Sequence, residues 1–360
     1  MPSAPPFSNE SHIQRLDVLR AVAIIFVILF HFNILLSDVV VTGDYKLWST
    51  WLGFGSSGVP LFFVISGFCI QLSYLRNQSQ SVKGFYWRRF SRIYPAYFVS
   101  LVFFSLLGVF KLRGTINLKQ FLLHFLLIHN FFPAVNFYAI NSAYWSLAVE
   151  FQFYLLFPFL LLLRTRFGLR SCLAATLLLT LLYEIACLQY PAIWRTVSNP
   201  TIVPDWYGWI LGACVAEQYV RGKRFFPAGR WLIIPLFVLM VCTYLYTHIL
   251  ALHYLTQYFF FALVLELYLT WKGALCWWER ILVPVGIVSY SLYLWHYPLL
   301  EITHHFLTHM LSSALAASQM FQLLVCLPMS LVVLAPFVCL SYYLCEKYAQ
   351  RRFRAWRPDA

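Results

Sequence analysis

The residues whose spacing could support chemistry lie in RLDVLRAVAIIFVILFHF, residues 15–32. Arg20 and His31 are eleven residues apart, so on an α-helix they share a face to within about 20° and lie about 16 Å apart along the axis. Asp17 precedes Arg20 by about one turn on nearly the same side. Imidazole titrates near neutral pH and can exchange a proton there. The stretch therefore predicts a polar stripe on an apolar helix.

Two interpretations of this stripe remain open. An exposed histidine in hydrocarbon is costly, so a functional stripe would face the interior of a helix bundle or a watered cavity. In the structural alternative, Asp17 and Arg20 form an interfacial ion pair and His31 hydrogen-bonds to another helix. The alignment of Arg20 with His31 favours the functional interpretation.

Other polar residues interrupt apolar segments. Arg89 and Arg92 in YWRRFSRIYP are three residues apart, so they share a helix face and could clamp phosphates together. Glu150 lies inside an apolar segment, where a lone carboxylate needs a cation, a histidine or a proton. His296, between Trp295 and Tyr297, is predicted to be an aromatic-belt residue. Three further histidines are expected to be solvated at the outer end of their helix: His304, His305 and His309.

The composition indicates a membrane protein. The chain has 360 residues, of which 61% are hydrophobic and 11% charged, whereas soluble domains contain about 25% charged residues. Its net charge of +13 comes from short basic runs between apolar segments, which is typical of cytoplasmic loops and argues against a nucleic-acid partner. The nine cysteines form no CxxC pair, so neither a disulfide framework nor a metal site is expected.

Apolar segments of about 20 residues predict an all-α polytopic membrane protein with about ten transmembrane helices in one bundle. Residues 1–360 are interpreted as a single transmembrane domain without a soluble domain, with a short N-terminal segment over about 1–15 and a basic tail over about 346–360. The apolar segment 121–132 is short and is expected to be re-entrant or interfacial, and Gly58 and Gly67 are spaced for close helix packing. The predicted spans are 16–36, 52–75, 93–112, 143–163, 171–190, 206–220, 231–249, 253–271, 281–303 and 321–345.

The basic residues predict the orientation. With the N-terminus inside, 21 of the 26 lysines and arginines fall on the cytoplasmic side. The remaining five are Lys46, Lys111, Arg113, Lys119 and Arg195. This asymmetry predicts that both termini are cytoplasmic.

Six segments in order resemble the family 3 membrane-bound acyltransferases, which O-acylate cell-surface and secreted carbohydrates in bacteria. The segments are LDVLRAVAIIFVILFHF, GVPLFFVISGFCI, RRFSRIYP, YWSLAVEFQFYLLFP, SYSLYLWHYPL and YYLCEKYAQR. The first looks like the family's motif of an arginine, ten residues and a histidine. The chain departs from the pattern at Tyr348, where a proline is frequent, and at Pro60, where many members have a polar residue.

The resemblance implies an enzyme of the bacterial inner membrane that uses cytoplasmic acyl-CoA, with acetyl the expected group, and a carbohydrate hydroxyl as acceptor. Acyl-CoA is its donor substrate, and no permanently bound cofactor is expected; membrane lipids are the other partners. Arg20, Arg89 and Arg92, with Asp17 beside them, are expected to hold the phosphates of coenzyme A.

His31 and Glu150 are the expected catalytic residues. His31 could be a general base for the acceptor hydroxyl or a nucleophile that carries the acyl group. Glu150 could orient His31 or neutralise an arginine. The sequence leaves both choices open.

Two other classes of function compete with this interpretation. A transporter or flippase of a saccharide or a lipid-linked intermediate would use the polar stripe as a pathway, but such proteins often contain internal repeats and none is visible here. A lipid-linked sugar polymerase or ligase would be expected to have basic residues in a large external loop. Only five basic residues lie outside, so this class is disfavoured.

Overall fold

In a computed structural model, the part of the chain that can be described is helical and contains no strand. This part comprises residues 14–37, 45–76, 81–109, 116–189, 202–245, 250–310, 318, 321–349 and 351. Most of the predicted N-terminal segment and C-terminal tail lies outside these residues. So do the last residues of the predicted spans 93–112, 171–190 and 231–249.

The helices follow the apolar segments closely. In chain order they are α1 Gln14–Ser37, α2 Tyr45–Gly53, α3 Gly58–Arg76, α4 Val82–Val109, α5 Leu118–Phe125, α6 Ala134–Phe137, α7 Tyr144–Phe167, α8 Leu169–Gln189, α9 Ile202–Val220, α10 Gly229–Leu245, α11 Leu250–Leu269, α12 Trp277–Ile287, α13 Ser289–Met310 and α14 Leu327–Leu340. Short 3₁₀ segments occur at Phe54–Ser57 and His129–Phe131, and π-helical segments at Gln322–Cys326 and Ser341–Lys347.

Seven helical segments within the described residues are long and apolar enough to cross a membrane. They are Gln14–Leu36, Ser49–Arg76, Val82–Gly108, Tyr144–Phe167, Leu169–Ala186, Leu252–Leu269 and Gln322–Lys347. The count of ten spans and the cytoplasmic position of the termini therefore stay predictions.

One predicted span corresponds to two helices. The segment 281–303 divides at Val288 into the end of α12 and the start of α13. Pro284 and Gly286 lie in the last part of α12, and both residue types disfavour the helix interior. The apolar periodicity continues across this break, so hydropathy alone does not detect it.

The described helices fall into two compact units. The first contains residues 1–23, 57–82 and 149–287, and the second contains residues 24–56, 83–148 and 288–360. The division falls inside α1 and near the start of α7, so each of these helices contributes to both units. The prediction of a single domain is not tested by this division and stays a prediction.

In the first unit, α3 and α9 cross in backbone contact through two glycines. A Cβ atom on Gly67 would lie 1.8 Å from the carbonyl oxygen of Trp209. A Cβ atom on Gly212 would lie 2.1 Å from the carbonyl oxygen of Val64. Only glycine permits this separation, which is the close approach predicted for Gly67.

In the second unit, α13 packs against the C-terminal helical stretch. The hydroxyl of Ser291 donates to the buried carboxylate of Glu346 and lies 2.9 Å from the hydroxyl oxygen of Ser341. The rings of Trp295 and Phe337 are 5.3 Å apart. Both Ser341 and Glu346 belong to the second π-helical segment, so this irregular turn brings two polar side chains to α13.

Candidate active site

His31 contacts a second histidine inside the second unit. Its Nδ1 lies 3.1 Å from Nε2 of His296, and the two rings are 4.8 Å apart and tilted by 66°. The ring of Tyr297 lies 4.7 Å from that of His31. His31 is 7% exposed and His296 is fully buried. His296 therefore lacks the lipid-facing position of an aromatic-belt residue.

Two backbone carbonyls determine where the protons of this pair reside. Nδ1 of His31 lies 2.9 Å from the carbonyl oxygen of Val27, and Nδ1 of His296 lies 2.7 Å from that of Tyr293. A carbonyl oxygen only accepts hydrogen bonds, so both Nδ1 atoms must carry the proton. In the neutral rings both Nε2 atoms then carry a lone pair. The Nε2 of His296 accepts from His31, and the Nε2 of His31 is the basic nitrogen of the pair.

Further hydrogen bonds hold α13 in place around His296. The side chain of Asn141 donates to the carbonyl oxygen of Leu294 over 3.1 Å. The hydroxyl of Tyr293 donates to the carbonyl oxygen of Ala143 over 2.5 Å. Because these bonds flank His296 on the same helix, they restrict the backbone that carries it.

Arg20 and Asp17 form an ion pair in the first unit. The guanidinium of Arg20 lies 2.9 Å from the carboxylate of Asp17 and donates to the sulfur of Cys69 over 3.2 Å. Asp17 is 1% exposed and the side chain of Arg20 is 20% exposed. This pair is the first half of the structural alternative, and the contact of His31 with α13 is the second half.

Glu150 receives hydroxyl donors from two helices of the first unit. Ser66 of α3 donates to its Oε1 over 2.7 Å, and Tyr154, one turn further along α7, donates to the same oxygen. The indole of Trp209 in turn donates to the hydroxyl of Ser66 over 3.3 Å. A carboxylate with two hydroxyl donors can be kept inside an apolar segment.

Arg89 and Arg92 differ in their surroundings. Arg89 is partly buried, with its guanidinium 5.8 Å from the centre of the Phe85 ring. Arg92 is exposed and interacts electrostatically with Glu346. An exposed guanidinium on α4 can still bind a phosphate, so the predicted role of the two arginines stays a prediction.

The structure thus brings some of the six predicted residues together within each unit. Asp17 contacts Arg20 in the first unit, which also contains Glu150, while the second unit contains His31, Arg89 and Arg92. Sequence reasoning did not assign a function to His296, Ser66 or Glu346. Each belongs to one of the six quoted motifs, and that membership was the available signal. The prediction that His304 is solvated is wrong: it is 6% exposed, and its ring lies 6.2 Å from that of Phe32.

Metal ligands and disulfides were also expected to be absent. Among the described residues, no group of three or more histidine, cysteine or acidic side chains could hold a metal ion. The eight cysteines whose side chains can be described are all free thiols.

A second histidine pair lies outside the candidate spans. His124 and His129 are fully buried, and their rings stack 3.9 Å apart at an angle of 5°. Burial lowers the pKa of His124 to about 4. Burial, followed by the effect of His124, holds the pKa of His129 well below its usual value. The pair is therefore neutral at physiological pH, as expected for packed rings.

The apolar helices and the buried basic histidine fit an integral-membrane acyltransferase. The sequence pattern of the family described as "Acyltransferase domain" matches residues 13–345, nearly the whole chain. The chain belongs to this family, which confirms the resemblance inferred from the six motifs.

The curated relatives are named for O-acetylation. Peptidoglycan O-acetyltransferase OatA of Listeria monocytogenes is 27% identical over 336 residues, covering 82% of this chain and 50% of the relative. O-acetyltransferase OatA of Staphylococcus aureus is 31% identical over 189 residues, covering 48% and 29%. An uncharacterized protein of Haemophilus influenzae is 41% identical over 119 residues, covering 29% and 49%.

The chain spans half or less of the length of these relatives. No solved structure matches the chain.

Proposed function

We propose that the chain is a membrane O-acyltransferase that moves an acetyl group from cytoplasmic acyl-CoA to a hydroxyl of a cell-wall or cell-surface carbohydrate. The observation that carries the proposal is the buried His31, whose Nδ1 proton is bound by Val27 and His296. A base or nucleophile with a lone pair directed away from its supporting contacts is what acyl transfer requires. The name of the Listeria relative supports peptidoglycan as the acceptor.

The reaction is balanced by one proton at Nε2 of His31. This nitrogen takes the proton of the acceptor hydroxyl while the hydroxyl oxygen attacks the thioester carbonyl carbon. The new C–O bond forms, the C–S bond breaks, and the coenzyme A thiolate takes the proton from His31. In the two-step route, the same Nε2 first forms a bond to the acyl carbon and later releases it to the acceptor. Both routes need the lone pair at Nε2.

The proposal includes the orientation of the enzyme. In a bacterial inner membrane with cytoplasmic termini, Arg20, Arg89 and Arg92 would bind the phosphates of coenzyme A, with Asp17 holding Arg20. Membrane lipids surround the spans. The basic residues of the sequence support this side for the donor.

The decisive experiment is mass spectrometry of surface glycans from cells with the gene, without it, and with single variants. His31→Ala is expected to lower acetylation by at least about 100-fold, the usual contribution of a general base. His309→Gln, at an exposed position, is the matched control and should keep wild-type acetylation. Membrane extracts must contain equal amounts of each variant.

A second variant tests Glu150. Glu150→Gln keeps the Oε1 atom that accepts from Ser66 and Tyr154 but removes the charge. If Glu150 is catalytic, acetylation falls at least about tenfold at unchanged protein level. Normal acetylation in this variant would remove Glu150 from the catalytic residues.

Two outcomes contradict the proposed function as a whole. One is normal acetylation in His31→Ala. The other is saccharide transport by purified protein in vesicles without acyl-CoA and without any acyl transfer, which would favour the transporter alternative.

A further inference from the structure

We propose that His296 is a positioning residue that accepts a hydrogen bond from Nδ1 of His31 and so holds His31 with its basic Nε2 toward the substrates. This inference rests on the proposed function, because it assigns a role relative to the reactive histidine. The relevant distance is 3.1 Å from Nε2 of His296 to Nδ1 of His31. Both side chains lie in the same compact unit.

The proton positions allow only one direction for this hydrogen bond. His296 donates from Nδ1 to the carbonyl oxygen of Tyr293, so its neutral ring has an unprotonated Nε2. His31 has a protonated Nδ1 because the carbonyl oxygen of Val27 lies 2.9 Å away. A doubly protonated His296 would direct an N–H group at another N–H group. His296 is therefore the acceptor and His31 the donor, with the proton shared between His296 and Val27.

This arrangement suits a histidine that becomes positively charged during the reaction. When Nε2 of His31 takes up the hydroxyl proton, its Nδ1–H becomes a stronger donor, and its hydrogen bonds become charge-assisted. The acceptor lone pair of His296 then stabilises the charge without a carboxylate. A catalytic base oriented by a third group is the general arrangement for activated nucleophiles and bases.

The packing around the pair restricts both rings. Tyr297 lies against the ring of His31 at 4.7 Å, and the ring of Tyr293 lies 5.5 Å from that of His296. These two phenols are the titratable groups that α13 adds next to the pair. The fully buried His296 ring has no access to water that could replace His31 as its partner.

Two variants separate hydrogen bonding from packing. His296→Phe keeps an aromatic ring of similar volume but has no acceptor, whereas His296→Gln loses the ring but keeps an acceptor oxygen at a similar reach. The assay uses purified protein in liposomes, acetyl-CoA as donor and peptidoglycan-derived oligosaccharides as acceptor. His309→Gln is the control for loss of a histidine at an exposed position.

If His296 acts by accepting the hydrogen bond, His296→Phe lowers kcat by about 10- to 100-fold, and KM for both substrates stays within about threefold. His296→Gln recovers most of kcat. A packing role predicts the opposite order, with His296→Phe more active than His296→Gln, and that order would overturn the proposal. Full activity in both variants would overturn it as well. If the wild-type protein transfers no acetyl group, the proposed function with this donor and acceptor has failed, and the proton positions decide the present inference.

The proton positions can be measured in the wild-type protein whether or not a variant folds. Histidine labelled with ¹⁵N, in protein held in lipid nanodiscs, gives distinct imidazole nitrogen signals for the two neutral tautomers. His31→Gln and His296→Gln assign the signals. Both residues are expected to carry their proton on Nδ1. A proton on Nε2 of His296 in the neutral ring would contradict the proposal.

Discussion

A largely buried arginine with a carboxylate partner can hold its helix in place or bind a phosphate, and the two roles make different demands on Arg20. Its guanidinium has several N–H groups, so the contacts with Asp17 and Cys69 leave donors for an anion. Asp17 is almost fully buried and keeps the guanidinium charged and oriented. The pair is therefore compatible with a phosphate site in which Asp17 acts through Arg20.

Substitution of each partner separates these roles. Arg20→Gln is expected to raise KM for acetyl-CoA by about 10- to 100-fold, because a charge-assisted hydrogen bond is worth about 1.5–3 kcal/mol. Asp17→Asn keeps the guanidinium and should change KM by less than about threefold. Steady-state kinetics of the purified protein give both values.

A purely structural ion pair gives a different pattern. Arg20→Gln and Asp17→Asn would then lower the melting temperature to a similar extent, and the double variant would be no worse than either single one. KM would stay at the wild-type value in all three. That result would remove Arg20 from the donor site.

At the scale of single residues, the sequence predicted that His31 and Glu150 are unusual but not what they contact. A histidine or glutamate inside an apolar segment needs a partner, and this requirement is visible in the sequence. The partner of His31 is 265 positions away, on α13. Helix periodicity relates residues within one helix, so it could not identify His296, Ser66 or Trp209.

Among the elements, the crossing of α3 and α9 depends most directly on individual atoms. At Gly67 and Gly212 the two backbones are too close for any side chain. Helices in a membrane associate through packing of this kind because lipid supplies no hydrophobic driving force between them. The crossing also brings Trp209 to Ser66, and thus to the donors of Glu150.

Gly67→Ala should therefore destabilise the first unit, because the new Cβ would lie 1.8 Å from a carbonyl oxygen. Overpacking of this kind costs about 1–3 kcal/mol or more, and we expect a clearly lower melting temperature in detergent. Gly168→Asn is the control: φ is +81° there, a Cβ would meet nothing within 4 Å, and asparagine tolerates this backbone. An unchanged melting temperature for Gly67→Ala would contradict the close crossing.

Hydropathy predicted the long helices well, and it failed where backbone geometry departs from a regular helix. α1, α7 and α8 begin and end within a few residues of the predicted spans. The break at Val288 and the 3₁₀ segment Phe54–Ser57 interrupt apolar sequence and leave its mean hydropathy high. The predicted span 93–112 begins at Val82 instead, because basic residues lowered the apparent apolar length while the helix continued through them.

At the scale of the molecule, the asymmetry of the basic residues is the argument for orientation. The donor, acyl-CoA, is cytoplasmic in the proposed function, and the acceptor carbohydrate lies on the other side. The enzyme must therefore present arginines to one side and its acceptor site to the other. The distribution of 21 against five basic residues satisfies the first requirement.

Fusions at two positions test this orientation. Green fluorescent protein attached after residue 360 should fluoresce, because the C-terminus is predicted to be cytoplasmic. Alkaline phosphatase attached after residue 114, in the predicted external loop, should be active, because that enzyme needs the oxidising side of the membrane. An inactive phosphatase at residue 114 together with a dark C-terminal fusion would reverse the topology.

The π-helical turn Ser341–Lys347 makes the C-terminal motif more sensitive to its length than to its composition. Hydrogen bonds in a π-helix span five residues, so the turn contains one residue more than an α-helical turn would. Removing any one residue there would let the turn become α-helical and rotate the following side chains by about 100°. Glu346 would then leave Ser291, whereas exchanging the exposed Leu344 for another residue would disturb nothing in this contact. Related chains that keep this function can therefore vary in the letters of YYLCEK but are expected to keep its spacing.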